Sequence, residues 1–138
     1  MKIINERPPV YEDILQSGMM PTANAMYAYG DVIYNPSGHD VPPDVIAHEE
    51  THGRQQGDDP DAWWSRYLDD QYFRIDQEVE AYANQFKFIC QSVKDRNRQD
   101  KILWHMAQIL SSPTYGNVIG SSSAYTMIKN KNKSKTPR

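Results

Sequence analysis

The chain has 138 residues, 38% of them hydrophobic and 24% charged, which fits one globular domain and not a fibrous, disordered or membrane-embedded chain. Its net charge of −3 is uneven: residues 129–138 hold five basic groups and no acid, so the remaining body carries −8. An acidic body argues against broad nucleic-acid binding, and the lone Cys90 excludes an intramolecular disulfide.

No apolar run reaches the length of a membrane span, and residues 1–9 lack a signal-peptide core. Residence in a cytoplasm is therefore the default expectation. Residues 1–24 are weakly patterned, broken by Pro8, Pro9, Gly18 and Pro21, with a short helix predicted over Tyr11–Gln16. Two apolar stretches, Ala25–Tyr29 and Val32–Tyr34, flank Gly30-Asp31. Glycine in the first of two loop positions predicts a type II′ hairpin. Asn35-Pro36-Ser37-Gly38 then ends the second strand.

The next stretch carries the chemistry. Pro42 and Pro43 suit a helix start, Val45 and Ile46 give it an apolar approach, and Gly57 reads as its stop. Between them lies His48-Glu49-x-x-His52. Residues four apart share one helix face, so both imidazoles can reach one metal ion. Glu49 points about 100° away from His48 and can lean over a metal-bound water instead. Zinc lowers the pKa of such a water, and a nearby carboxylate can take its proton. Zinc is the predicted cofactor.

Downstream, Asp58–Asp61 predicts a turn and a short helix packed through Trp63, Trp64, Tyr67 and Leu68. Asp69-Asp70 closes that helix or caps the next. The longest helix is predicted over about Tyr72–Lys94, because Ile75, Val79, Tyr82, Phe86, Ile89 and Val93 form one apolar stripe. That stripe predicts a core contact with the metal helix. Cys90 falls in it as a core or flank residue. A further helix is predicted over about Asp100–Leu110, then a last short one over Ser121–Ile128. Residues 1–128 read as one domain and residues 129–138 as a basic, disordered tail. The predicted fold class is α+β, mainly helical, with a small hairpin beside the metal helix.

A catalytic zinc commonly has three protein ligands and one open position. His39 and His105 lie in a loop and on a far helix; Asp76, Glu78 and Glu80 lie on the long helix. Glu78 points about 60° from the centre of the apolar stripe and Glu80 about 140°, so Glu78 is the predicted third ligand. A carboxylate at the edge of a buried face is costly unless a cation meets it.

His48-Glu49-Glu50-Thr51-His52 followed by Glu78-Val79-Glu80-Ala81-Tyr82 resembles the gluzincin metallopeptidases. These place a glutamate ligand on a second helix, often within E-x-x-[AS]-D; Tyr82 stands where that Asp is usual. With Gln55-Gln56, Arg74 and Gln77, the stretch from Tyr27 to Gln85 is similar to small, compact gluzincin-like domains of bacteria and phages. The resemblance implies a zincin-like fold, a zinc peptidase acting on a peptide or protein, and a strand above the cleft, here Val32–Tyr34, that binds extended substrate by strand addition. It also brings in virion association as a second setting.

The leading expectation is hydrolysis with Glu49 as general base. Tyr82, Tyr115, Tyr125 and His105 are the candidate donors to the oxyanion. The alternative is a catalytically silent, zinc-stabilised binding or structural module bound to a partner protein, because little sequence follows the ligand helix to wall a cleft.

Overall fold

The structure, a computed structural model, describes residues 1–134. Short polar side chains set where its helices begin. Asp59 accepts from the backbone N–H of Ala62 and opens α3 (Pro60–Asp69). Asp70 accepts from the N–H groups of Tyr72 and Phe73 and opens α4 (Gln71–Ile89), while its own N–H closes α3 on the Arg66 carbonyl. Asp95 does the same for α5 (Arg96–Leu110) at the N–H of Asn97. Each cap satisfies donors that a helix start leaves unpaired. The helix with the histidine pair, α2 (Pro43–Gln56), starts on proline and ends at Gly57, whose φ of +57° lies in the left-handed region. A one-turn helix, α1 (Tyr11–Gln16), precedes the hairpin, and α6 (Ser121–Ser134) ends the described chain.

The hairpin pairs β2 (Tyr27–Tyr29) with β3 (Val32–Tyr34), Tyr29 opposite Val32. Gly30 has φ +64°, and Asp31 is not in the positive-φ region, which matches type II′ and excludes type I′. A third strand, β1 (Lys2–Ile4), runs parallel to β3 with Ile3 opposite Ile33. Sequence periodicity misses it because three residues are too few to show a period. The sheet order is β1-β3-β2, so the fold is α+β and mainly helical, with the small sheet beside α2. Among the described residues no helix is long and apolar enough to cross a membrane.

Four expectations need correction. First, α4 stops at Ile89 and not near Lys94; Asp95 recruits the following residues into α5, and Gln99 holds the Val93 carbonyl in the connection. Cys90 caps α4, half-buried against the core. Second, α4 does pack against α2, and Tyr82 of its stripe stands edge-on to the His48 ring, but most of the stripe faces elsewhere. Ile75, Val79, Tyr82 and Phe86 pack with Leu103, Met106 and Leu110 of α5 and with Ala124 and Ile128 of α6. Third, α6 runs to Ser134, so residues 129–134 of the expected disordered tail are helical, and residues 135–138 lie outside the described ones. Fourth, β3 cannot accept a substrate strand, because β1 and β2 already pair with both of its edges.

A second apolar cluster joins Val10 and Ile14 to Tyr27, Trp63, Trp64 and Tyr67. A polar seam joins α2 and α4. There Gln55 meets the Gln77 carbonyl and Glu80, Asn84 meets Thr51, and Gln85 meets Asp44. At its far end α2 approaches the hairpin closely. A Cβ on Gly53 would sit 2.8 Å from the Gly30 carbonyl oxygen, which accounts for glycine inside a helix. The Gln56 amide accepts from the Gly30 N–H and donates to the Ala28 carbonyl, occupying the outer edge of β2.

Candidate metal centre

The helical arithmetic places His48 and His52 one turn apart on α2, both facing Glu78 of α4. The Nε2 of His48 lies 3.1 Å from one Glu78 carboxylate oxygen and the Nε2 of His52 lies 3.1 Å from the other. Their ligand atoms all fall within 4.8 Å of one another. Two ligands on a tetrahedral zinc, each about 2.05 Å from it, sit about 3.3 Å apart, so the three side chains fit such an ion with small adjustments. All three are buried, at 6%, 5% and 3% exposure. The Tyr67 hydroxyl donates to the second Glu78 oxygen at 2.5 Å and steadies the carboxylate.

Burial alone would raise the Glu78 pKa, but the two imidazoles outweigh it and hold the group well below the usual carboxylate range. Burial likewise opposes a charged His52, yet the Glu78 carboxylate lifts its pKa to about 9. Burial raises the Tyr67 hydroxyl well above its ordinary value, with the Glu78 charge adding to it.

Glu49 stays outside the His48, His52 and Glu78 cluster, as its helix position requires. One of its carboxylate oxygens lies 3.7 Å from His48 Nε2, and the side chain is 6% exposed. Burial raises its pKa, partly offset by the two histidines and by a hydrogen bond with the backbone of Ala28 on β2. Glu80 is also outside the cluster, hydrogen-bonded to Gln55 at 2.9 Å. His39 is exposed in its loop, with its carbonyl accepting from Asn35.

The centre opens into a cavity of about 390 Å³. Pro21, Thr22 and Asn24 to Tyr27 line it from the segment that leads into β2, and Ile109, Thr114 and Tyr115 line it from α5 and the turn that follows. The cleft is thus walled without a second lobe. Of the four candidate oxyanion donors, Tyr82 and Tyr115 line the cavity, with their hydroxyls 2.8 Å apart. Tyr125 is turned away, bonded to Asp100 and stacked on Trp104. His105 is exposed on α5. Neither lines the cavity.

Arg74 was part of the sequence resemblance but had no assigned place. It is 7% exposed and donates to the carbonyls of Tyr67, Leu68 and Tyr115, tying the end of α3 to the turn that carries Tyr115. Sequence reasoning also missed Tyr67, Asp44 and Gln85. The signal was there in helical spacing: Asp44 precedes His48 by one turn, and Gln85 follows Glu78 at two-turn spacing on the same face. No protein family, curated protein or solved structure matches the chain.

Proposed function

We propose that the chain is a zinc-dependent peptidase of gluzincin-like type, with His48, His52 and Glu78 as ligands and Glu49 as general base. The observation that carries this reading is the placement of Glu49: a buried carboxylate beside the ligand cluster but not part of it. A purely structural metal site has no need of such a base. A zinc ion held there supplies a Lewis acid for the scissile carbonyl and lowers the pKa of a water. Glu49 takes the proton from the attacking water and delivers it to the leaving amine. Burial raises its pKa towards the range where one group can do both. Tyr82 and Tyr115 have two hydroxyl hydrogens between them. One serves the bond they share, which leaves the other to donate to the oxyanion. Burial raises the Tyr82 pKa, so the phenol stays protonated as a donor.

Glu49→Gln preserves shape and hydrogen bonding. Zinc content and melting temperature should stay near wild type, and hydrolysis of a diverse peptide library, read by mass spectrometry, should fall about 100-fold or more. Cuts of equal rate in both proteins would reject Glu49 as the base. The second reading is a silent zinc-stabilised module that binds a partner protein. The deep burial of the centre favours it, with the ligands and Glu49 all at 6% exposure or less. Full zinc loading with no cuts by either protein would support it.

A further inference from the structure

The ligand histidines use only their Nε2 atoms towards Glu78; their Nδ1 atoms face two glutamines. His48 Nδ1 meets the Gln85 Oε1 at 2.9 Å, and His52 Nδ1 meets the Gln55 Oε1 at 2.8 Å. The orientation of each amide follows from its other end. Gln85 Nε2 donates to the Asp44 carboxylate at 2.8 Å. Gln55 Nε2 donates to both the Glu80 carboxylate at 2.9 Å and the Gln77 carbonyl at 3.0 Å. Carboxylates and carbonyls only accept, so these ends must be the NH₂ groups. The oxygens then face the rings, and each ring must hold a proton on Nδ1. A neutral imidazole in that tautomer has its lone pair on Nε2, where a metal would be.

From this geometry we infer that Gln85 and Gln55 are positioning residues, each anchored by a carboxylate, Asp44 and Glu80, that lock both ligand histidines in the metal-ready tautomer. The inference rests on the reading of His48, His52 and Glu78 as a metal site. The two relays span the helix seam differently. One runs from α2 to α4 and back, through His48, Gln85 and Asp44. The other runs along α2 and then over to α4, through His52, Gln55 and Glu80. Glu80 thereby acts on the centre without touching a metal.

The test uses the full chain and zinc alone. Zinc affinity is measured by competition with a chromophoric chelator for wild type, Gln85→Met and Gln55→Met. Histidine tautomers are read in the zinc-loaded proteins from long-range ¹H–¹⁵N spectra. Each variant should bind zinc about 10- to 100-fold more weakly, the usual effect of removing a partner that orients a metal ligand. The Nδ1 proton signal of the affected ring should lose its protection from exchange. A glutamine that only packs would lower the melting temperature of the zinc-free protein and leave affinity unchanged. The exchange Gln85→Glu with Asp44→Asn keeps an acceptor for His48 Nδ1–H and the net charge while reversing the outer hydrogen bond, so it should restore affinity to within about threefold of wild type. That exchange decides the matter if Gln85→Met does not fold: a folded double variant that has lost zinc overturns the proposal. So do methionine variants that bind as tightly as wild type. A wild-type protein that binds no zinc would instead reject the metal site itself.

Discussion

Replacing Arg74 by methionine removes a buried cation but keeps most of its volume. Its guanidinium donates to three carbonyls, Tyr67 and Leu68 at 2.9 Å and Tyr115 at 3.1 Å, and none of the described ion pairs gives it a carboxylate. Two of these carbonyls belong to the last turn of α3, where helix carbonyls lack partners and the dipole favours positive charge. Hydrogen bonds from a charged donor contribute roughly 1.5–3 kcal/mol each. Three would suggest about 5–9 kcal/mol, but relief of the buried charge's desolvation returns several kcal/mol. A net loss of about 3 kcal/mol is the working figure, which at roughly 3–4 °C per kcal/mol for a chain of this size lowers the melting temperature by about 10 °C. Gly116 fits this account: it has φ +93°, and a Cβ there would lie 2.9 Å from the guanidinium. The assay is thermal unfolding followed by circular dichroism, with zinc absent, for wild type, Arg74→Met and Arg74→Lys. A lysine cannot span three carbonyls, so it should fall between the two. A methionine variant that melts within about 2 °C of wild type would refute the clamp.

Zinc removal with a chelator should lower the melting temperature, because a metal bound only by the folded state stabilises it by mass action; an unchanged curve after confirmed removal would show that the polar seam stands alone. In the zinc-free protein the His52 pKa of about 9 lies above its ordinary 6.5, so its pairing with Glu78 stabilises fully below about pH 6.5, and that contribution is lost as pH rises through 9. A proton on that imidazole competes with zinc, so zinc affinity should rise from pH 6.5 to 9 and then level, and a flat titration series across that range would contradict it. Gly53→Ala should destabilise by up to about 2 kcal/mol in denaturant unfolding: the clash with the Gly30 carbonyl, roughly 1–3 kcal/mol, exceeds the helix propensity gained, about 1 kcal/mol, and a stabilised variant would show that the hairpin can shift.

The His48, His52 and Glu78 cluster was legible because a helix converts sequence spacing into direction. The same 100° rule that paired His48 with His52 separated Glu78 from Glu80, and the structure places Glu78 in the cluster and Glu80 outside it. What the rule cannot give is the partner of a buried face. The stripe on α4 announced burial, yet nothing local told α5 and α6 from α2 as its neighbours. The strand Lys2–Ile4 was invisible because its pairing partner lies near Ile33, and three residues have no period of their own. Gln55 and Gln85 had no assigned role because an uncharged amide leaves no mark in hydropathy or charge; helical spacing puts Gln85 on the face of Glu78, but only the acceptors around each amide define what it does. Arg74 escaped likewise, since its partners are backbone carbonyls that every residue has.

The Gln56 side chain has a consequence beyond local packing. A sheet edge presents unpaired backbone groups that can recruit another chain, and proteins guard such edges with bulges, prolines or charges. Here the guard is an amide that imitates a peptide group. It pairs with the Ala28 carbonyl and the Gly30 N–H, and Trp64 adds a second donor to that same carbonyl. The edge of β2 is therefore closed by side chains from two helices, and intermolecular strand growth from that side would first have to break the contacts of α2 and α3 with the hairpin. Among the described strands β1 alone remains as an open outer strand, three residues long and headed by Lys2, which makes a poor template for aggregation.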